Sequence, residues 1–405
     1  MTTPQTRMPA EWSPHAATWI AWPHNPDDWP GKFQPIPWVY AEIVRHLSRV
    51  ERVHILVNDL AAERRATGIL KRGGANLTRV HFHHWPTDRV WLRDSGPVFV
   101  KRADGSVKAE GAVKQDAASA NNSAANLAIL NWKFNAWAKY SNWHLDDQVP
   151  HRVAQLYHLP EIKPVVPPPP AAPASWKPHR IVLEGGSIDT NGAGVLLTTQ
   201  ECLLSEVQQR NPGLGDETST QRLLEQAFRD HLGIHQTLWL NRGCAGDDTH
   251  GHIDDIARFV SPDTILACVE PNPADPNHLP LAENLDRLRA FRRIPTPAST
   301  KNNASSTKSI GSSTQSDPAG QPFHIVELPM PAPVVFQGQR LPASYANFYI
   351  ANSLVLVPTF NDPNDRRALN IIADLFPTRQ VVGIHSVDLV WGLGTLHCLT
   401  QQQTA

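Results

Sequence analysis

Gly246-Asp247-Asp248-Thr249-His250-Gly251-His252-Ile253-Asp254-Asp255 packs two imidazoles and four carboxylates into a short polar stretch. It stands ahead of an apolar run at 264–269 and a helical pattern at 282–292. Working outward, similar strand-like runs occur at 53–57, 96–100, 195–198 and 353–358, alternating with helical patterns at 39–50, 218–232 and 365–376. Repeated strand and helix alternation predicts an α/β fold. No clean sequence repeat is visible. Each strand group nevertheless ends in a cluster of polar, chemically capable residues, the other three being Trp91-Leu92-Arg93-Asp94-Ser95-Gly96-Pro97, Leu183-Glu184-Gly185-Gly186-Ser187 and Gly394-Thr395-Leu396-His397-Cys398-Leu399-Thr400. Loops carried on a rigid scaffold are where catalytic groups usually sit, so these clusters are expected to converge on one central site.

Composition narrows the function. The chain has 405 residues, with 37 Lys+Arg against 38 Asp+Glu. That balance removes the basic footprint of a nucleic-acid binder. No apolar run approaches the ~20 residues of a membrane helix, so no membrane partner is expected. The first residues lack an apolar secretory core, and Cys202, Cys244, Cys268 and Cys398 form neither a disulfide framework nor a zinc spacing. Both features point to a reducing, cytoplasmic setting. Three stretches at 115–128, 165–175 and 296–320 are too poor in apolar residues to order themselves and read as insertions into one catalytic domain spanning 1–405. Of 13 tryptophans, ten lie at or before Trp143. Such large flat rings are used where a packed layer or a deep pocket wants them.

The clusters admit competing readings. In His250-Gly251-His252-Ile253-Asp254, one His acting as general acid/base with Asp254 facing the same pocket ranks first. A polar loop of satisfied hydrogen bonds ranks second. A metal-dependent hydrolase with Asp248, His250, His252 and Asp254 as ligands ranks third, because the ligand set is incomplete. Glu184 stands at a strand end, and Gly185-Gly186 permit close backbone approach or positive φ. Arg93-Asp94 could be a surface ion pair; beneath Trp91, Asp94 could instead hold a cationic group. Cys398 has polar flanks that suit a loop thiol, whereas Cys202 and Cys268 read as core. A thiol and a His ringed by carboxylates suit an electrophile that is itself a cation, and a guanidinium carbon fits, its N–H groups matching carboxylates bidentately.

These residues resemble the agmatine deiminases, in the superfamily that also holds the bacterial-type peptidylarginine deiminases and, more remotely, the arginine deiminases. The resemblance runs from Met8-Pro9-Ala10-Glu11-Trp12, His15, Trp19, Trp22-Pro23 and Trp29 to His397-Cys398-Leu399-Thr400-Gln401-Gln402. It takes in Asn131-Trp132-Lys133-Phe134-Asn135-Ala136-Trp137, Arg210-Asn211-Pro212, Ala343-Ser344-Tyr345-Ala346-Asn347-Phe348-Tyr349 and Asn361-Asp362-Pro363-Asn364-Asp365. It implies a pentein, or α/β-propeller, with five modules in pseudo-fivefold array about a central active site. It implies Cys398 as nucleophile, His252 as general acid/base, Glu184 orienting or charging that His, Asp94 and Asp254 clamping the guanidinium, and Trp91 lining the mouth. No metal and no organic cofactor are implied. The implied reaction is agmatine plus water to N-carbamoylputrescine plus ammonia, with peptidyl-arginine or free arginine as alternative substrates. A non-catalytic guanidine-binding protein is the remaining reading, and a homo-oligomer is open.

The chain departs from the agmatine deiminase pattern at three places. Gly392-Leu393-Gly394-Thr395-Leu396 stands for Gly-Gly-Gly-Asn-Ile, Ala138-Lys139 for Gly-Gly after Asn-Ala-Trp, and Thr249-His250-Gly251-His252 for Thr-Asn-Gly-His. The catalytic groups survive; the shell that reads the far end of the substrate changes.

Overall fold

The protein is described here from a computed structural model covering residues 6–102, 126–168, 177–294 and 320–405. Its sheets repeat one topology five times. In each, an outer strand (in the second unit itself flanked by Thr6–Arg7) pairs antiparallel with a second, a helix follows, and a third strand lies parallel to the second. Gln401–Thr404, His15–Ala21 and Arg52–Val57 make the first such unit, with the helix Ile36–Val50 as crossover. Val98–Arg102, Leu127–Leu130 and Glu161–Ile162 make the second around Val149–Tyr157. Asp189–Thr190, Val195–Thr199 and Gln236–Leu240 make the third around Glu217–Ala227. Ala257–Ser261, Thr264–Val269 and His324–Pro329 make the fourth around His278–Ala290. Tyr349–Ala351, Leu354–Thr359 and Gln380–His385 make the fifth around Asn364–Leu375. The expected α/β class therefore holds, as five βαβ-type units. The first unit closes the two ends of the chain together, because Gln401 pairs with Trp19.

Local chemistry explains the elements. The helix Ile36–Val50 starts with Pro37 in its first turn, where a missing N–H costs nothing. It buries Ile36, Tyr40, Ile43, Val44 and Leu47, a single stripe at helical spacing. Asp216 caps Glu217–Ala227 by accepting from Ser219 N. The expected helix at 218–232 is that helix plus a wider turn over Phe228–Leu232, ended by Gly233 in the left-handed region (φ 70°). Strands such as Val53, Ile55, Leu56 and Val57 are buried along their length, as parallel strands covered on both faces must be.

A feature of the repeat positions the chemistry. Immediately before the outer strand of four units the chain makes one short helical turn: Leu92–Ser95, Gly185–Ser187, Ile253–Asp255 and Leu396–Leu399. The fifth unit has a turn at Tyr345 and Ala346 in the same place. The clusters thus precede strands rather than end them, and each occupies an equivalent place in its unit.

Of the expected insertions, 115–125, 169–175 and 296–319 lie outside the described residues. Their edges are narrower than expected, since Leu127 and Ala128 are buried in a strand and Val166 is buried with its N–H on His179 O. Among the described residues no helix is long and apolar enough to cross a membrane.

Candidate active site

The short turns bring Asp94, Glu184, His252, Asp254 and Cys398 together beside a cavity of about 200 Å³, into which Trp91, Asp94 and Cys398 project. Asp94 Oδ1 accepts from Gly186 N at 3.0 Å, and Oδ2 from Trp137 Nε1 at 2.9 Å. His252 Nδ1 stands 3.8 Å from Asp94 Oδ1 and 3.9 Å from Asp254 Oδ1. Gly186 is required there: a Cβ on it would fall 2.5 Å from His252 Nδ1 and 2.8 Å from Asp94 Oδ1. The Gly pair therefore serves close approach, and positive φ is not involved.

Burial and crowding set the charges. Asp94 is pushed up to about 6 by burial, with the neighbouring carboxylates Asp254 and Glu184 adding to the push and His252 opposing it. Burial alone would disfavour the His252 imidazolium, but Asp94, Cys202 and Asp254 outweigh it and hold the ring well above the usual His range. Burial likewise works against the Asp254 carboxylate, but His397, His252 and Arg258 bring it below its ordinary value. Asp255, buried behind Asp254, is pushed up by burial and by that carboxylate.

Cys398 is buried on the turn Leu396–Leu399, so it is not the open-loop thiol that its polar flanks suggested. Its Sγ lies 3.8 Å from Asp254 Oδ2 and 3.1 Å from Asn347 Nδ2, an N–H donor. Burial pushes the thiol well above its usual range, and Asp254, Asp255 and Asp94 push it further. Asn347 works as a clamp. Its Nδ2 also donates to Asp255 Oδ1 at 3.0 Å, while its Oδ1 accepts from Thr395 Oγ1 at 2.8 Å and His397 N at 3.0 Å.

Beneath these groups lies a buried ionic layer. His397 spans two carboxylates, with Nδ1 2.6 Å from Asp254 Oδ2 and Nε2 2.8 Å from Glu11 Oε2. Glu11 also accepts from Arg258 Nη2 at 2.8 Å, and Arg258 Nε reaches Asp189 Oδ2 at 2.6 Å. Arg93 joins this layer through Gln402 at 2.7 Å and Glu11 at 3.5 Å. Arg93 is therefore no surface partner of Asp94; it faces the opposite way.

Glu184 accepts from Arg210 Nε at 3.0 Å, and both side chains are fully buried. Arg210 also donates to the carbonyls of Gln208 and Thr249, fixing the loop that leads into His252. Glu184 makes no hydrogen bond to His252; together with Cys202, one donor atom of each lies within 4.8 Å of the others. Cys202 is buried, as expected of core, but its sulfur abuts Glu184 and His252. The four ligands of the metal reading do not assemble: Asp248 is taken by Lys139 and by Tyr140 at 2.7 Å, and His250 reaches Ser205 at 3.2 Å. At Glu184 the Arg210 guanidinium supplies the positive charge that a metal would bring. Replacing Arg210 by Met strands a buried carboxylate and should lower unfolding free energy by about 3–5 kcal/mol, read from urea midpoints. Recovery of part of the loss in the Arg210→Met, Glu184→Gln double variant checks the cause; an unchanged midpoint in the single variant refutes it.

The tryptophans divide between two tasks. Trp19 stacks on His54 at 4.2 Å and on His83 at 5.0 Å within the core. His54 and His83 are pushed down to about 3 and about 4, chiefly by burial, which keeps them neutral packing groups. Trp91, Trp137 and Trp391 line the cavity instead, and Trp29 backs Trp91 at 5.7 Å. Two departures from the expected pattern also touch this mouth. Lys139 pairs with Asp248, and Leu393, which lines the cavity, sits in the left-handed region (φ 69°) that glycine adopts freely.

Sequence reasoning named Glu11, Arg210, Trp137 and Asn347 only within resemblance motifs and gave them no role. Their partners lie tens to hundreds of residues away, so no local pattern announces them.

The chain is similar to known proteins over nearly its whole length. The family model described as Porphyromonas-type peptidyl-arginine deiminase matches residues 7–404. Agmatine deiminase from Pseudomonas fluorescens is 30% identical, with 98% of this chain and 95% of that protein covered. The structure of agmatine deiminase from Enterococcus faecalis aligns at a TM-score of 0.75 and 25% identity, over 99% of this chain and 96% of that one. A Porphyromonas gingivalis structure, provisionally named an arginine deiminase, aligns at 0.73 and 30% identity, over 98% of each chain. The names differ in substrate and agree in the guanidine group. The chain belongs to the Porphyromonas-type peptidyl-arginine deiminase family.

Proposed function

We propose that this protein is a cofactor-independent hydrolase that deiminates agmatine to N-carbamoylputrescine, with Cys398 as nucleophile. The observation that carries the reading is a thiol held 3.8 Å from Asp254 on the same small cavity as Asp94, with buried His252 3.8 Å from that Asp94 carboxylate. A guanidinium seated between Asp94 and Asp254 presents its carbon to the sulfur and keeps its charge there. With the cation seated, the Cys398 thiol loses its proton to solvent, the thiolate bonds to that carbon, and His252 gives a proton to the departing nitrogen, which leaves as ammonia. A thiouronium adduct remains on the sulfur. Water then adds to the same carbon, with His252 taking its proton. The carbon–sulfur bond breaks, returning the thiolate and releasing the ureido product. Glu184, anchored by Arg210, supports the charge on His252 from behind.

Agmatine is favoured because Asp27, Asp28 and Asp248 also line the cavity, and anions there repel the α-carboxylate of free arginine. Its product would feed the polyamine branch of guanidine metabolism, and an unpaired catalytic thiol suits a reducing cytoplasm. The test is the kcat/KM for agmatine relative to arginine and a blocked arginyl peptide, with ammonia and ureido product both measured. Agmatine should lead by roughly 10²-fold or more. Formation of no ureido product from any of the three refutes the reading, and a leading arginyl peptide transfers the function to proteins.

A further inference from the structure

Asp28 carries an observation that the deimination chemistry does not use. Its side chain is 2% exposed, yet it lines the same cavity as Cys398, Trp91 and Asp94. One carboxylate oxygen, Oδ1, accepts from Arg89 Nη1 at 3.1 Å. The other, Oδ2, is buried without a hydrogen-bond partner among the described residues. Arg89 is itself committed: Nη2 donates to Asn142 Oδ1 at 3.1 Å, and its guanidinium lies 4.1 Å from the centre of the Tyr140 ring. It fixes Asp28 in place and leaves Oδ2 as the acceptor. Burial pushes the Asp28 carboxyl up to about 6 although Arg89 opposes it, as for a carboxylate with too few partners. The other two acidic groups lining the cavity mouth are differently placed. Asp27 is exposed, and Asp248 is satisfied by Lys139 and Tyr140.

We infer that Asp28 Oδ2 is a second cation site in the cavity, which receives the terminal ammonium of an amine-bearing guanidine while Asp94 and Asp254 hold its other end. The inference rests on the reading of the cavity as a guanidine site and adds what measures the far end of the substrate. The same cavity is walled in part by Trp91 and Trp391, apolar faces that suit a methylene chain. An ammonium at Asp28 supplies a charge-assisted hydrogen bond in a water-poor place, where it is stronger than at a surface. The site therefore selects a dication of fixed length.

The experiment compares agmatine with n-butylguanidine, which has the same carbon chain and no amine. In the natural protein agmatine should lead in kcat/KM by about 10- to 100-fold, the scale of a hydrogen bond to a charged group. In Asp28→Asn, which keeps an acceptor for Arg89, that ratio should fall towards one, with the change mostly in KM for agmatine. Asp27→Asn should move it less than about 3-fold, because an exposed charge is screened. A ratio near one in the natural protein overturns the inference. So does a ratio unchanged by Asp28→Asn, or one lowered equally by Asp27→Asn. Should Asp28→Asn fail to fold, Asp28→Glu decides: its longer side chain should shift preference to the guanidine with one methylene fewer, and an unshifted preference overturns the site. Turnover of neither guanidine by the natural protein refutes the deiminase reading itself, a result distinct from turnover without preference.

Discussion

Cys398→Ala should turn over agmatine at least ~10⁴-fold more slowly than the natural protein at saturating substrate, the scale on which enzymes lose a covalent nucleophile. The argument is electrostatic as much as geometric. Burial and three carboxylates, Asp254, Asp255 and Asp94, hold the free thiol protonated, and among the described residues Asn347 alone donates to the sulfur. A neutral alkylating agent such as iodoacetamide should therefore inactivate slowly near neutrality and faster as pH rises, with a midpoint above that of an ordinary thiol. A bound guanidinium changes the balance by placing a positive charge between the same carboxylates and the sulfur. Substrate thus creates the charge state that attacks it. Full ammonia release by Cys398→Ala sinks this account. Inactivation that is fast at neutral pH and flat above it would remove the electrostatic part alone.

The strands and helices that were read from the sequence lie within a few residues of the observed ones, because amphipathic spacing and β-branched runs are local signals, whereas others, such as the helix Val149–Tyr157 and the strand His324–Pro329, were not read. The fivefold repetition was implied by the family resemblance but is visible in no repeat of the sequence itself. What repeats is a strand order and the place of one short turn, while the residues on that turn differ: Asp94, Glu184, His252 with Asp254, Asn347 and Cys398. Function has diversified the equivalent positions, so nothing repeats in the letters. Asn347 was passed over for this reason, since a turn bearing one amide gives no chemical cluster. The alternative of an Arg93–Asp94 surface pair came from adjacency in sequence, whereas neighbouring side chains on one helical turn diverge. Cys202 was assigned to core correctly by burial, but burial cannot tell an apolar neighbour from Glu184 and His252.

Asp254→Asn should separate two quantities that ordinarily move together, thiol reactivity and catalysis. Asp254 is the carboxylate placed first among those that raise the Cys398 thiol, and its Oδ2 is 3.8 Å from the sulfur. Removing its charge should lower the thiol pKa and make iodoacetamide inactivation faster at any fixed pH below that pKa. The same change removes half of the proposed guanidinium clamp and the 2.6 Å partner of His397 Nδ1. Turnover should then fall by roughly 10²–10³-fold in kcat/KM, the cost of losing one pre-organised charge contact in a dry site. The stability consequence has a definite sign. Asp254 is held below its ordinary value, so its stabilising contribution is present above the unfolded carboxylate pKa and fades as pH falls through the folded one. The natural protein should consequently lose more stability on acidification than Asp254→Asn, and the two denaturation midpoints should converge at low pH. A slower thiol together with lower turnover would mean that Asp254 acts by shaping the site rather than by its charge. Unchanged turnover would remove Asp254 from the clamp and leave Asp94 as the guanidinium's carboxylate.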